Sequence, residues 1–193
     1  MGYRSLTVDT ESTVAVITTA EAKAHLKVDV SDDDTLIDNL VKAATQSCEE
    51  FTNRYFTETV VTQYSDKMTD TKHLYKSPVS GVTHIKYYNS SNVLTTWDGS
   101  NYLLDKSSTP ARIGLAVDAS YPSIADRINA VEVKYTVGYG SSASDVPQAI
   151  KQAILLTVGN WYQNRQEVVT GTIASQLPKS AQYLLEQYKV QVC

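Results

Sequence analysis

The chain has only two cysteines, two phenylalanines, two methionines and three histidines in 193 residues. Cys48 lies inside a helical pattern and Cys193 is the last residue, so the pair is no disulfide framework. His25, His73 and His84 fall on three separate elements, with no His-x-x-x-His or Cys-x-x-Cys spacing to hold a metal. No Gly-x-Ser-x-Gly elbow, Walker loop or dinucleotide fingerprint is present, and Gly138-Tyr-Gly140 is too short to cradle a phosphate. No apolar run approaches 18 residues, so no membrane span is expected. The first nine residues lack a basic stretch followed by an apolar one, so a chain made and kept in a reducing cytosol is expected. Basic charge is in deficit too. The net charge is −4, which argues against a protein whose main work is gripping nucleic-acid phosphates.

The chain that remains has an ordinary apolar fraction of 42% and charged fraction of 20%, enough to bury a core without disulfide or metal. Thirteen tyrosines stand against the two phenylalanines. Tyrosine suits strands and is also enriched at protein interfaces.

The periodicity changes twice along the chain. Residues 1–16 read as an extended arm or edge strand. Thr18 with Glu21 forms a capping-box pattern that predicts a helix over 19–28, with Ala22 and Leu26 on its buried side. Ser31 is the expected cap of a second helix reaching Tyr55, in which Ile37, Leu40, Val41, Ala44, Cys48 and Phe51 recur at spacings of three and four. From Thr57 the pattern turns β-rich. Strands are expected at 59–64, 82–88, 102–104, 112–117 and 131–137, with turns at Pro78–Gly81, Asn89–Asn92 and Trp97–Gly99. Val131, Val133, Tyr135 and Val137 alternate with Glu132, Lys134 and Thr136, the cleanest strand signal in the chain. Helical spacing returns at Asp145 and Pro147 and continues through Ile150, Ile154, Val158 and Trp161. Beyond Pro178, Ala181, Leu184, Leu185 and Tyr188 predict one short amphipathic helix. The expected fold class is α+β: a small helical bundle, made of the N-terminal helices and a helix near 146–166, interrupted by an antiparallel β-rich insertion. The expected division is an arm over 1–16, a helical core over 17–56 and 145–168, a β subdomain over 58–138, and a tail over 169–193.

Two clusters stand out as candidate sites. Asp29, Asp32, Asp33, Asp34 and Asp38 are the one dense group of carboxylates. The plain reading is a solvated helix start that suits the positive end of the helix dipole. The cluster lacks the glycine and terminal glutamate of a calcium loop. Arg54 and Tyr55 close one helical segment, and Trp161, Tyr162 and Arg165 close another. Such residues either cap packed helix ends or anchor subunit contacts, where Arg, Tyr and Trp dominate. A further reading makes Trp97 and nearby tyrosines a platform for carbohydrate or protein.

The series Ile17-Thr-x-Ala-Glu-Ala-Lys-x-His-Leu-Lys-Val-Asp29, Asp32-Asp-Asp-x-Leu-Ile37 and Glu49-Glu-Phe-Thr-x-Arg54 resembles the N-terminal helices of head-to-tail connector proteins of tailed bacteriophages. Pro78-Val-x-x-Val82 with Ile85-x-Tyr87, Tyr135-Thr-x-Gly-Tyr139, Val146-Pro-x-Ala-Ile-Lys-Gln-Ala-Ile154 and Trp161-Tyr-x-Asn-Arg165 are similar, in the same order, to the branch with a β-rich insertion. The resemblance covers about residues 17–168. It implies a non-enzymatic virion protein, without cofactor or metal, assembled in the bacterial host cytoplasm. Family members form a ring, usually of twelve copies, beneath the portal. The ring extends the DNA channel and docks the tail or a stopper protein, and DNA passes without sequence-specific contact. On this basis the Asp29–Asp38 carboxylates are candidates to face the channel, since an acidic lining lets a duplex slide. Residues 172–193, with Leu184, Leu185 and Tyr188, are candidates for portal docking. The alternatives are a tail-completion or other assembly factor, or the β-rich binding module.

Overall fold

A computed structural model describes residues 5–69, 73–164 and 177–190. The fold is α+β, and the chain divides into two compact units. One is β-rich and draws on residues 1–12, 54–140 and 190–193; the other is helical and draws on 13–53 and 141–189.

In the β unit, β1 (Ser5–Thr10), β2 (Thr59–Ser65), β3 (Val79–Tyr88), β4 (Leu94–Trp97) and β7 (Val131–Val137) form one antiparallel sheet in the order β1-β2-β7-β3-β4. A separate ribbon pairs β5 (Tyr102–Asp105) with β6 (Arg112–Leu115). The alternation in β7 has the expected consequence. Val131, Val133, Tyr135 and Val137 are fully buried, while Glu132, Lys134 and Thr136 face the other way and are half-buried. Val61, Val79 and Ile85 join them on the core face, and Ile113, Leu104 and Leu115 of the ribbon pack against the same core.

One buried polar residue sits in that core. The Gln63 amide donates to the His73 carbonyl at 3.1 Å, and its oxygen accepts from the Tyr75 amide at 3.0 Å and the Tyr135 hydroxyl at 3.3 Å. The segment after His73 is thereby fastened to the middle of the sheet. Every polar atom of the Gln63 side chain is engaged, as burial of an amide requires.

The helical unit contains α1 (Thr19–Leu26), α2 (Asp34–Thr52), α3 (Gln148–Gln163) and α4 (Lys179–Glu186). The capping box at α1 is formed in full: the Thr18 amide donates to Glu21 at 2.7 Å, and the Glu21 amide donates to Thr18 Oγ1 at 3.2 Å. Helix α2 buries Ile37, Val41, Ala44, Cys48 and Thr52, the stripe set by its spacing. It packs on α3, which buries Ile150, Ala153, Ile154, Thr157 and Val158.

The structure departs from two local expectations. Ser31 does not cap α2; Asp33 occupies that position, and the Ser31 carbonyl instead accepts from the Asp34 amide in a preceding turn. Strand β4 was hidden because Thr95-Thr96-Trp97 runs directly into the turn at Asp98 and too few residues alternate to register. Helix α4 packs on α3 and α2, with Ala181 and Leu185 fully buried.

Candidate functional site

The acidic start of α2 is not a uniform carboxylate patch. Asp34 pairs with Lys23 of α1 at 2.5 Å, and Asp38 pairs with Lys42 one turn on at 2.7 Å. Asp33 accepts the Tyr162 hydroxyl of α3 at 2.5 Å. Asp29 and Asp32 are exposed and have no partner among the described residues. The five aspartates therefore separate into three that tie helices α1, α2 and α3 together or support α2 internally, and two that face solvent. Asp33 and Asp34 also sit at the positive end of the α2 dipole.

Two of the aromatic residues at these helix ends, Tyr55 and Tyr162, have side-chain partners in their own chain. Helix α2 ends at Asn53, whose φ of 55° is the left-handed conformation of a helix stop. Arg54 and Tyr55 follow within the β unit, where the Tyr55 amide donates to Ser77 at 3.2 Å and its ring lies 5.2 Å from the Lys76 ammonium. Arg54 forms a strand-like bridge with Ser77. Trp161 and Tyr162 are half-buried at the end of α3, and Arg165 lies outside the described residues. In α4, Leu184 and Tyr188 are half-buried and Leu185 is fully buried. The large aromatic side chain that α4 exposes is Tyr183, at 83%. Its signal was available, since Tyr183 stands on the opposite side of the helix from Ala181 and Leu185.

Trp97 is not a binding platform. It is 6% exposed and stacks on Tyr102 at 5.4 Å and near Tyr121 at 6.0 Å, inside the β core. Burial of the indole overturns the reading of Trp97 and nearby tyrosines as a platform for carbohydrate or protein. Burial also pushes the Cys48 thiol up to about 12, far from a reactive thiolate. His84 lies 3.3 Å from Glu132 on the polar side of the sheet. Among the described residues no group of three His, Cys, Asp or Glu side chains is placed to hold a metal, and no helix is long and apolar enough to cross a membrane. Among the described residues the most exposed large apolar side chains are Val93, Leu103, Val117 and Ile128 in the β unit, and Val30 and Tyr183 in the helical unit.

The model of the head completion protein family matches residues 15–191. No curated protein matches the chain. Solved chains that share its fold include three from gene transfer agent particles. One, from the virion of a native gene transfer agent particle, is 20% identical with a TM-score of 0.79, covering 97% of this chain and 96% of its own. A second, from the neck of the empty particle with C6 symmetry, is 21% identical with a TM-score of 0.79 over 98% and 97%. The third, from the neck of the native particle with C12 symmetry, is 21% identical with a TM-score of 0.74 over 98% and 97%.

Proposed function

The chain belongs to the head completion protein family, and from that premise we propose that it works as a ring of about twelve copies between the portal and the tail. Its role is that of a structural head-to-tail connector. The observation that carries the reading is the extent of the family match, which runs through all four helices and six of the seven strands. Two of the solved chains of the same fold come from particle necks described with C6 and C12 symmetry. A cyclic ring needs two unlike surfaces per copy that meet head to tail and close.

In this reading the protein resides in the virion, binds the portal on one side and a tail or stopper protein on the other, and lets DNA pass without reading its sequence. The role is non-enzymatic. Carboxylates outnumber lysines and arginines in the described part of the helical unit, which suits a surface past which a phosphate backbone slides. The channel-facing role narrows to Asp29 and Asp32, because Asp33, Asp34 and Asp38 already have partners in their own chain.

The experiment is electron microscopy of the protein mixed with its cognate portal ring. The expected result is an added ring of density beneath the portal, with the symmetry of a closed cycle. Absence of any added density at saturating protein would sink the proposal. Changing Asp29 and Asp32 together to Asn should then leave that ring intact while altering DNA retention or ejection; unaltered DNA behaviour removes the channel role from these two residues.

A further inference from the structure

Strand β4, four residues long, is an edge of the sheet with no strand on its outer side among the described residues. Antiparallel pairing alternates which peptide groups point at the neighbour. The Asn89 amide donates to the Val93 carbonyl at 3.0 Å, and the register places Tyr88 opposite Leu94 and Tyr87 opposite Thr95. It follows that Thr95 and Trp97 bond to β3, while the N–H and C=O groups of Leu94 and Thr96 point outward. No hydrogen bond reaches those outward groups among the described residues. Leu94 and Thr96 are exposed, and Val93 and Ile128 beside the hairpin are 57% and 78% exposed.

Natural sheets blunt such edges by keeping them short, or with charge, proline or a bulge; β4 has only the first of these. Strand β1, the other edge of the sheet, has both a register shift between Val8 and Thr10 and the charged Asp9. Strand β4 reads Leu94-Thr-Thr-Trp97, with no charge and no proline, and its pairing with β3 is unbroken.

We propose that β4 is a self-pairing edge at which two free copies of this chain join through a two-fold axis passing between their Thr95 residues. With Leu94 of one copy opposite Thr96 of the other, both outward-facing residues of each strand meet their counterparts, and all four outward N–H groups find carbonyls. The same register lays the exposed Val93 beside Trp97 of the second copy. A β4–β1 joint that continued the sheet around a ring is disfavoured by geometry. Neighbouring strands twist by about 20–25°, so β1 and β4 of one sheet differ by roughly 80–100° in direction, far more than the turn between neighbours in a twelvefold ring. A cyclic ring also contains no two-fold axis between neighbours, so the β4 pair belongs to copies outside a ring. The inference is therefore independent of the ring reading. An edge of four residues buries well under the 1,000 Å² or so of a stable interface, which makes the pair concentration-dependent.

Sedimentation velocity of the full chain over a concentration series tests this. The expected result is a monomer–dimer equilibrium whose dissociation constant rises about tenfold or more in Thr96→Pro, which removes an outward donor only, and in Leu94→Lys, which installs an edge charge. Circular dichroism checks that each variant is folded; if Thr96→Pro is not, Leu94→Lys carries the comparison. A chain with Thr95→Cys and Cys193→Ser should form a disulfide-linked dimer on mild oxidation, because the facing Thr95 residues form a close, non-hydrogen-bonded pair and Cys48 is buried. A wild-type chain that stays monomeric up to about 0.5 mM, a dimer untouched by Leu94→Lys, or a Thr95→Cys chain that does not cross-link overturns the proposal.

Discussion

The hydroxyl of Tyr162, in the last turn of α3, donates to the carboxylate of Asp33, at the start of α2, at 2.5 Å across 129 positions of sequence. Tyr162, which its sequence context left open between a packed helix end and a subunit contact, and Asp33, a candidate to face the channel, are each other's partner. This bond pins the C-terminal end of one helix to the N-terminal end of another within the helical unit. It also offers Asp33 a donor at the end of α2 where carboxylates are already favoured.

Removing either half of that bond should weaken the helical unit. Tyr162→Phe and Asp33→Asn are each expected to lower stability by about 1–2 kcal/mol, measured by urea denaturation. The two losses should not add, since both substitutions delete the same interaction. Full additivity in a double-mutant cycle would show that the contact contributes nothing.

Gly138 is a position where the backbone leaves no choice. It follows β7 with φ of 117°, and a Cβ placed there would lie 2.5 Å from the Thr57 carbonyl carbon and oxygen. The neighbouring atoms are backbone and cannot swing aside. Gly138→Ala is expected to cost about 2–3 kcal/mol, whereas Gly81→Ala, with open space around its Cβ, should change stability by less than about 1 kcal/mol. Thermal melts of the two variants decide it; equal melting temperatures contradict the assignment.

The polar side of the sheet carries an acid-sensitive contact. The Asp9 carboxyl is held below its ordinary value chiefly by the Thr62 hydroxyl, which donates at 2.7 Å, with help from the Lys134 ammonium at 3.0 Å, against partial desolvation that pushes the other way. A carboxyl whose folded value lies below its unfolded one stabilises the fold above the unfolded value and loses that contribution as pH falls through the folded one. Stability should therefore be flat in this respect near neutrality and fall below about pH 4. In Asp9→Asn the acid-side loss should be shallower than in the wild type. Identical pH–stability curves for the two chains refute this account.

Periodicity made most of the architecture legible. The stripe from Ile37 to Cys48 is the buried face of α2, and the alternation from Val131 to Val137 is the core face of β7, because a helix turn and a pleat impose their periods on any sequence that must hide one side. The Thr18–Glu21 box fixed the start of α1 for a similar reason: its bonds span three residues and need no distant partner. The ordered series of motifs also pointed to the family that the match over residues 15–191 establishes.

What sequence alone could not settle is everything that depends on which distant residues meet. Whether an aspartate is a free charge or half of a pair was decided by the approach of Lys23 and Tyr162, and left Asp29 and Asp32 apart from the other three. Whether Trp97 is a platform or a core residue was decided by Tyr102 and Tyr121 closing over it. Whether α4 is a free tail or a packed helix was decided by α2 and α3, which cover Leu185 and leave Tyr183 outside. The pattern of apolar residues determined which side of each element is hidden. The tertiary structure determined what hides it, because burial and pairing are properties of two surfaces and the local sequence describes only one.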